Sequence, residues 1–358
     1  MTPPARGLRA RLAATLGAFS LDADINVRAG ETLVLLGPNG SGKTTCLDLI
    51  AGLRTPDRGH ITLDETVLCD TETGVDLAPE DRRVGLVFQD YALFPHLSVR
   101  ENVAYGARAR RLARDERARV TDESLARLDM AALADRAVTQ LSGGQRQRVA
   151  LARALASDAR ILLLDEPFAS LDATTRAAVR AELRAFLRAA ALPALVVTHD
   201  PLDAFVVGDR LAVIEHGRIV QTGTSDDLLA HPRTPFVADL VGLNVYEASL
   251  AAGAGLKEAR AGAVVFHVLA DELAGAVHLA FAPSDVALAI APPAGSFQNA
   301  FEVRVLDSLN LPDRLRVILD AGVPMASDIT REAGRALPLV PGSTLWAMVK
   351  ATSIRVYP

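Results

Sequence analysis

The stretch TLVLLGPNGSGKT, residues 32 to 44, carries the clearest fold signal in the sequence. Its apolar start predicts a buried strand, and the glycine-rich run after it ends in Lys43 and Thr44 just before a helical pattern, TCLDLIAG. The spacing G-x-x-x-x-G-K-[ST] between a strand and a helix is typical of a phosphate-binding loop, in which backbone N–H groups turn toward phosphate oxygens. The alternative, a glycine-rich turn that binds nothing, is disfavoured because strand, lysine, threonine and helix all occur together.

Two further apolar strands end in side chains that suit phosphate chemistry. ILLLD (161 to 165) is followed by Glu166, and ALVVTH (194 to 199) ends in His199. We expect Asp165 to hold Mg²⁺ through water and Glu166 to polarise an attacking water. Without the loop, the Asp-Glu pair would suit an exposed turn and a lone histidine would be structural. Parallel strands end where α/β sheets place their ligands, which favours the functional interpretation.

Composition limits the class of protein. A length of 358 residues favours two domains, and 50% apolar with 23% charged residues fits a globular chain. A net charge of -5 argues against nonspecific nucleic-acid binding. Two cysteines, Cys46 and Cys69, provide neither metal spacing nor a disulfide framework, so a reducing compartment is expected. No apolar run reaches the roughly 18 residues that span a bilayer, and the start lacks a signal-peptide core.

The character of the sequence changes near residue 240. Residues 1–240 alternate buried strands with helical patterns, which predicts an α/β layer architecture. Between Arg100 and Arg136 the chain reads as helix throughout, so a helical subdomain at about 100–157 is expected between two strands. Residues 243–358 contain short strand-like pieces broken by Pro and Gly, which predict a small β-barrel or sandwich.

The stretch LSGGQRQRVALARAL, residues 141 to 155, predicts a second anion site. Ser142 is expected to cap a helix, and the two glycines leave backbone N–H groups bare at the positive end of the helix dipole. One nucleotide does not need two such sites in one chain. We therefore expect this second site to serve the nucleotide of another subunit.

In their order and context, these motifs resemble the ATP-binding cassette (ABC) ATPases over roughly the first 240 residues. The resemblance implies an α/β P-loop NTPase cassette with a helical subdomain, and two copies that sandwich two ATP molecules head to tail. It implies that LSGGQ closes over the partner's γ-phosphate and that the SLD segment crosses the dimer interface. The nucleotide-binding residues implied are Gly37, Pro38, Asn39, Gly40, Ser41, Gly42, Lys43, Thr44, Thr45, Ser142, Gly143, Gly144, Gln145 and Asp172.

The same resemblance assigns the chemistry to a few side chains. The catalytic groups implied are Lys43, Gln89, Glu166 and His199, and the Mg²⁺ ligands are Thr44, Gln89 and Asp165. The alternative for Gln89 is an amide in a surface loop. Relatives usually stack an aromatic residue on adenine just before a glycine near the N-terminus. Here that position reads Leu16-Gly17, and Phe19 is the nearest aromatic, so the stacking residue is left open between Leu16 and Phe19.

Three classes of P-loop protein compete. A GTP-binding switch would need an Asn-Lys-x-Asp guanine reader, which the sequence lacks. Soluble ABC ATPases of DNA repair or translation share every motif but usually carry two cassettes or a coiled-coil insertion. FQDYALFPHLSVRENVAYG (88 to 106) resembles the permease-docking region of transporter ATPases, with Tyr91, Leu93 and Phe94 expected at the surface; their alternative is a place in the core. A peripheral subunit on the cytoplasmic face of the inner membrane is therefore expected, with a separate permease, an indirect substrate-binding partner and no nucleic acid.

Residues 243–358 resemble the OB-like TOBE barrel of importer ATPases, and their last segment, DITREAGRALPLVPGSTLWAMVKATSI, is most similar to molybdate and tungstate uptake systems. Ferric-iron, sulfate, sugar and polyamine importers share the architecture. In molybdate-type barrels an oxyanion site is expected from a Ser-x-Arg-Asn segment, a later serine and a lysine. This chain has Ser296-Phe297-Gln298-Asn299, then Ala333 in place of the serine, and Lys350. We expect the domain to hold the dimer together and to bind either oxyanion weakly or not at all.

Overall fold

A computed structural model describes residues 7–169, 171, 173–253, 255–293 and 297–358. The chain forms two compact units, Met1–Ser225 and Asp226–Pro358. The second unit therefore begins ahead of the change in composition near residue 240. Asp172 and Ser296, both named above, lie outside the described residues.

The first unit is built on one sheet of 11 strands. Five of them, at the end that contains the phosphate-loop strand, run parallel to one another in the order β10-β3-β9-β8-β7. The remaining strands continue the sheet from β10 in the order β11-β2-β1-β4-β5-β6. The strands are β1 (Gly7–Leu16), β2 (Phe19–Arg28), β3 (Thr32–Leu36), β4 (Arg58–Leu63), β5 (Thr66–Asp70), β6 (Val75–Asp76), β7 (Val84–Val87), β8 (Ile161–Asp165), β9 (Ala194–Thr198), β10 (Arg210–Glu215) and β11 (Arg218–Gly223).

The predicted apolar strands form the middle of this sheet. Every residue of β3, β8 and β9 is buried, as expected for parallel strands covered on both faces. Leu33, Leu35, Leu163 and Leu195 belong to one apolar core. The helices of the unit are α1 (Lys43–Ala51), α2 (Val99–Ala109), α3 (Arg114–Arg127), α4 (Gly143–Ala156), α5 (Ala173–Ala190) and α6 (Pro201–Val207).

The helical subdomain is more broken than the sequence predicts. A single helical stretch from Arg100 to Arg136 is wrong, because α2 ends at Ala109 and α3 begins only at Arg114. Arg111 between them has φ 57°, a left-handed conformation that no α-helix contains. Two 3₁₀ turns, Ala131–Leu133 and Val138–Gln140, then lead to α4.

A buried arginine anchors the far end of α1, the helix that begins in the phosphate loop. Arg82 is 1% exposed and donates to the carbonyl oxygens of Leu49 and Ile50 at 2.9 and 3.0 Å. Its guanidinium also pairs with Asp76. Both carbonyls belong to the last turn of the helix, where a positive charge is favourable. Gly52 leaves room for the contact, since a Cβ there would lie 2.6 Å from the Arg82 Nε.

The second unit contains two antiparallel five-stranded sheets, which confirms the predicted OB-like barrel as two half-barrels. Their orders are β14-β13-β12-β15-β21 and β16-β20-β17-β18-β19, and they share an apolar core that includes Phe266, Leu279 and Val317. The strands are β12 (Asn244–Leu250), β13 (Leu256–Ala261), β14 (Val264–Leu269), β15 (Gly275–Phe281), β16 (Ala287–Ala289), β17 (Asn299–Asn310), β18 (Leu315–Asp320), β19 (Pro324–Ile329), β20 (Thr344–Val349) and β21 (Arg355–Tyr357). The helices are α7 (Ser225–Ala230), α8 (Pro235–Val241) and α9 (Arg331–Arg335). Over the described ranges, no helix has the length and apolarity needed to cross a membrane.

Candidate functional site

Four adjacent parallel strands bring the candidate residues to one edge of the first sheet. The phosphate loop follows β3, His199 follows β9, Glu166 follows β8, and Gln89 lies two residues beyond β7. The strand ends are level with one another, since the paired Cα positions are Leu36 with Thr198, Asp165 with Val197, and Val87 with Leu164. The sequence therefore places phosphate-binding, acidic and imidazole groups at the carboxyl edge of one sheet, where α/β folds bind ligands.

The glycines of the phosphate loop adopt conformations that other residues resist. Gly40 and Gly42 have φ of 78° and 104°. At Gly37 a Cβ would lie 2.2 Å from the Ile214 carbonyl oxygen. The Lys43 side chain folds back over the loop, and its Nζ donates to the carbonyl oxygens of Gly37 and Pro38, each at 2.9 Å. Burial lowers the pKa of Lys43, against the opposing effect of the nearby Glu166 and Asp165 charges.

Ser41 places within the loop a buried hydroxyl that has no partner among the described residues. Its side chain is 3% exposed, and its Oγ has no hydrogen-bond partner in the part of the chain that the structure describes. A buried hydroxyl without a partner is costly, and a phosphate oxygen would accept its proton. The loop therefore contains a donor for an anionic ligand in addition to its backbone N–H groups.

Thr44 and Asp165 meet at the base of the loop. Thr44 Oγ1 donates to Asp165 Oδ1 at 3.3 Å. Burial raises the pKa of Asp165, while the Thr44 hydrogen bond and the Lys43 charge act in the other direction. A hydroxyl beside a buried carboxylate is a hard-oxygen pair that suits Mg²⁺. No cluster of three or more His, Cys, Asp or Glu suited to a metal occurs among the described residues.

Glu166 and His199 form a hydrogen-bonded pair at the same sheet edge. His199 Nδ1 lies 2.8 and 2.9 Å from the two carboxylate oxygens of Glu166. The Glu166 side chain is 14% exposed and that of His199 is 54% exposed. An anionic carboxylate at Nδ1 favours the tautomer with the proton on that nitrogen. Glu166 also has φ 46°, and its N–H donates to the Val197 carbonyl at 3.0 Å. A left-handed non-glycine residue of this kind costs about 1–3 kcal/mol and is characteristic of functional positions.

The loop after β7 contains Gln89 and Tyr91, and the two side chains lie in different surroundings. Gln89 is exposed at the sheet edge. The prediction that Tyr91 is at the surface is wrong: Tyr91 is 2% exposed, and its hydroxyl donates to the Pro167 carbonyl at 3.3 Å. Arg153 of α4 donates to the carbonyl oxygens of Tyr91 and Ala92 at 2.9 and 2.7 Å. Tyr91 therefore ties the Gln89 loop to the segment after Glu166 instead of facing a partner.

An aromatic surface does lie beside this loop, and it keeps Leu93 and Phe94 of the residues that the sequence indicates. The Phe94 ring packs against that of Tyr105 of α2 at a tilt of 46° with centroids 4.6 Å apart, and the Arg153 guanidinium lies 5.6 Å from the Phe94 centroid. Phe88 is 38% and Tyr105 46% exposed, while Leu93 and Phe94 are half-buried. We call Phe88, Leu93, Phe94 and Tyr105 the aromatic surface. The sequence signal for Tyr105 is an aromatic residue on the outward side of a short amphipathic helix, eleven residues after Phe94.

The LSGGQ residues lie at the start of α4 in the helical subdomain. Ser142 caps the helix as predicted, with its Oγ accepting from the Gln145 N–H at 3.3 Å, and the Gln145 side chain accepts from the Ser142 N–H at 3.0 Å. This capping box leaves the N–H groups of Gly143 and Gly144 at the positive helix end. At Gly144 a Cβ would lie 3.3 Å from a methyl group of Val179, so a side chain there would be in tight contact with α5.

The two candidates for adenine contact lie at one hairpin. Leu16 and Phe19 are cross-strand partners at the turn between β1 and β2. Leu16 is 36% exposed. The Phe19 ring packs toward the phosphate loop, since a Cβ at Gly42 would lie 2.9 Å from its Cζ.

In the second unit, the structure groups only part of the predicted oxyanion set. Gln298 and Lys350 line one cavity of about 400 Å³ together with Phe297, Leu256 and Leu269. The Asn299 side chain is committed elsewhere, because its amide bonds to the backbone of His267 at 2.6 and 2.8 Å. Ala333 lies in α9, where its N–H donates to Thr330 Oγ1 at 3.1 Å, and it does not line this cavity.

Comparison with known proteins agrees with this geometry. The ABC transporter family model matches residues 21–169, and the TOBE domain model matches residues 295–356. The chain is 40% identical to the molybdenum import ATP-binding protein ModC of Mycobacterium tuberculosis, over 97% of both chains. It is 39% identical to the sulfate/thiosulfate import ATP-binding protein CysA of Burkholderia mallei, over 94% of both chains. Among solved structures, a dimeric ATP-binding cassette in a post-hydrolysis state with ADP and Pi is similar at 29% identity and a TM-score of 0.50, covering 61% of this chain and 98% of that one.

Proposed function

We propose, because the chain belongs to the family of ATP-binding subunits of ABC importers, that it powers the uptake of molybdate or tungstate by hydrolysing ATP. The observation that carries the proposal is the match to a molybdenum import ATPase over 97% of both chains, which spans the cassette and the β-rich region alike. The second full-length relative is named for sulfate and thiosulfate, also oxyanions. A sulfate importer is therefore the alternative, ahead of ferric-iron, sugar or polyamine importers and of a soluble ABC ATPase of nucleic-acid metabolism.

The sheet edge supports specific roles in hydrolysis. The loop from Gly37 to Thr45 binds the phosphates, with Ser41 Oγ and the Lys43 ammonium as donors to their oxygens. Glu166 orients a water and accepts a proton from it, while the water oxygen forms a bond to the γ-phosphorus and the bond to the bridging oxygen breaks, giving ADP and phosphate. Glu166 is held for this role by His199. His199 and Gln89 then face the γ-phosphate from the neighbouring strands.

The residues present fit a Mg²⁺ ion. Thr44, Asp165 and Gln89 would hold it, as a set of hard oxygen donors. When bound, the ion would supply neutralisation of charge on the phosphate oxygens. The Asp165 carboxylate, whose pKa is raised by burial, gains a compensating positive charge in that arrangement.

The complete site needs a second copy of the chain. Ser142, Gly143, Gly144 and Gln145 carry donors on the helical subdomain, while the phosphate loop is on the sheet edge. In a head-to-tail pair these donors close over the partner's nucleotide, and Asp172 contributes at the same interface. The dimeric state of a similar cassette supports this pairing. The first unit then carries the chemistry, and the TOBE-containing unit holds the pair together.

Coupling to transport requires a separate membrane permease. We assign the permease contact to the aromatic surface, with Phe94 and Tyr105 at its centre, instead of to Tyr91. Exposed aromatic groups next to the Gln89 loop support this assignment, because aromatic side chains are enriched at protein interfaces. The subunit is then peripheral on the cytoplasmic face of the inner membrane, and a substrate-binding protein delivers the anion to the permease.

Uptake measurements in the host test this function. Deleting the gene should abolish uptake of radiolabelled molybdate and tungstate and leave sulfate uptake unchanged. The wild-type gene should restore uptake, whereas Glu166→Gln, which keeps the shape but loses the base, should not. Loss of sulfate uptake with normal molybdate uptake would establish the alternative substrate. Restoration by Glu166→Gln would show that Glu166 is not the catalytic carboxylate.

A further inference from the structure

Two arginines of α5 hold the loop that carries His199. Arg176 Nη1 donates to Asp200 Oδ2 at 3.2 Å, and Arg176 Nη2 donates to the Leu171 carbonyl oxygen at 3.2 Å. One turn further along, Arg180 pairs with Asp203 and reaches Asp200 at 3.5 Å. The sequence signal is an arginine at every fourth position of TTRAAVRAELRAFLR, which places these side chains along one face of the helix.

Buried hydrogen bonds continue this arrangement to both neighbours of His199. Thr198 Oγ1 donates to Asp203 Oδ2 at 3.2 Å and accepts from the Asp200 N–H at 3.1 Å. Thr198 is 1% and Asp203 4% exposed. The residues before and after His199 are therefore fixed to each other and, through Asp203, to Arg180.

We infer that Arg176 is a positioning residue that makes the His199 loop move together with Leu171. The inference rests on the proposed roles of His199 and of the adjacent Asp172. A guanidinium is planar, so its two donors have a fixed separation and direction. Leu171 and Asp200 cannot shift apart without the loss of one hydrogen bond. A displacement of Leu171 by the partner subunit is thereby passed to His199, and through it to Glu166.

A purely structural role for Arg176 makes different predictions. It would lower the free energy of unfolding, and its effect on activity would follow the fraction of folded protein. A positioning role leaves ATP binding intact and lowers turnover, because only the geometry of His199 changes. It also predicts that removing either end of the Arg176–Asp200 contact has the same consequence.

The test is a double-mutant cycle in the full-length protein, with ATPase kinetics as the readout. Arg176→Gln removes the charged fork. Asp200→Asn removes the charge but keeps the side-chain oxygen that accepts from the Leu202 N–H at 2.8 Å and caps α6. Each variant should lower kcat about tenfold with KM for ATP changed by less than about twofold, and the double variant should be no slower than the slower single variant. Arg188→Ala is the matched control on the same helix, with a side chain 61% exposed and a 3.8 Å ion pair to Asp209, and should hydrolyse ATP at the wild-type rate.

The possible results separate cleanly. Three results would each overturn the inference. The first is a wild-type kcat in Arg176→Gln, and the second is a rise in KM for ATP as large as the fall in kcat. The third is a double variant whose loss of kcat equals the product of the two single losses. If Arg176→Gln does not fold, Arg176→Lys supplies the test, because one ammonium cannot serve both acceptors in this geometry and should also lower kcat alone. The proposed function fails differently, through a wild-type protein without ATPase activity or a fully active Glu166→Gln.

Discussion

Lys350 and Gln298 show how a single residue type decides what a cavity can bind. Both line the same cavity of the second unit, and its large apolar members, Phe297, Leu256 and Leu269, are between 38% and 49% exposed. Apolar walls do not replace the hydration of a small divalent oxyanion, and one lysine supplies a single positive charge. The amide of Gln298 offers neither the charge nor the paired donors of an arginine.

We therefore predict that the full-length protein binds molybdate and tungstate weakly in the second unit. The loss of one charge-assisted contact costs about 1.5–3 kcal/mol, which is more than tenfold in affinity. Calorimetric titration of nucleotide-free protein with each anion should give no saturable heat at micromolar concentrations. Gln298→Arg is the matched variant and should strengthen binding. Micromolar binding by the wild-type chain would contradict this prediction and indicate feedback control by the imported anion.

Tyr91 marks the limit of sequence reasoning at this scale. The residues of the phosphate loop, Asp165, Glu166 and His199 could be located because strand ends and local spacing determine their positions. The burial of Tyr91 depends on Pro167, 76 positions away, and on Arg153 of α4. The local sequence around a loop tyrosine does not indicate a contact 76 positions away. Arg176 escaped notice for the same reason, since its acceptors lie in two different loops.

At the scale of elements, α2 and the loop after β7 present the aromatic surface as one piece. Asn102 of α2 is fully buried, with its Oδ1 accepting from the Phe94 N–H at 2.8 Å and its Nδ2 donating to the Phe94 carbonyl at 3.1 Å. The Ser98–Glu101 capping box fixes where α2 begins. The position of Tyr105 relative to Phe94 is thus set by the helix and not by the exposed side chains themselves.

A charge placed on this surface should uncouple hydrolysis from transport. Tyr105→Glu would leave an unpaired carboxylate against the permease, at a cost of several kcal/mol, so transport by the complex should fall by more than about tenfold. The isolated subunit should keep its ATPase rate. Leu53→Glu, at a leucine that is 48% exposed, is the control and should affect neither. Loss of ATPase activity and transport together in Tyr105→Glu would show that the residue supports the fold and not the docking.

The elements themselves were predictable to different degrees. β3, β8 and β9 follow the apolar runs closely because buried parallel strands leave an unambiguous pattern. The helical subdomain did not follow its composition, because Ala, Arg and Leu favour helix throughout while the left-handed Arg111 ends the first segment. The chain reverses there because α2, α3 and α4 pack against one another, and helix propensity carries no information about such packing.

At the scale of the molecule, one chain carries both parts of the proposed site. In that proposal, each part works with the complementary part of a second copy and not with the one in its own chain. The sheet edge holds the phosphate loop, Glu166 and His199, and α4 presents capped N–H groups with no phosphate loop of their own. This division accounts for two anion-binding features in one cassette. Hydrolysis, and with it the coupling to transport, would therefore depend on the pairing of two copies of the chain.

Subunit complementation tests that claim most directly. Lys43→Ala disables the phosphate loop and leaves α4 intact, whereas Ser142→Arg blocks the start of α4 and leaves the loop intact. Each variant alone should be inactive. Co-expressed with different tags and purified as the mixed pair, they should regain ATPase activity at one of two sites, about half the wild-type rate per dimer. A mixed pair that stays inactive, or a Ser142→Arg protein that hydrolyses ATP by itself, would contradict a site shared between two chains.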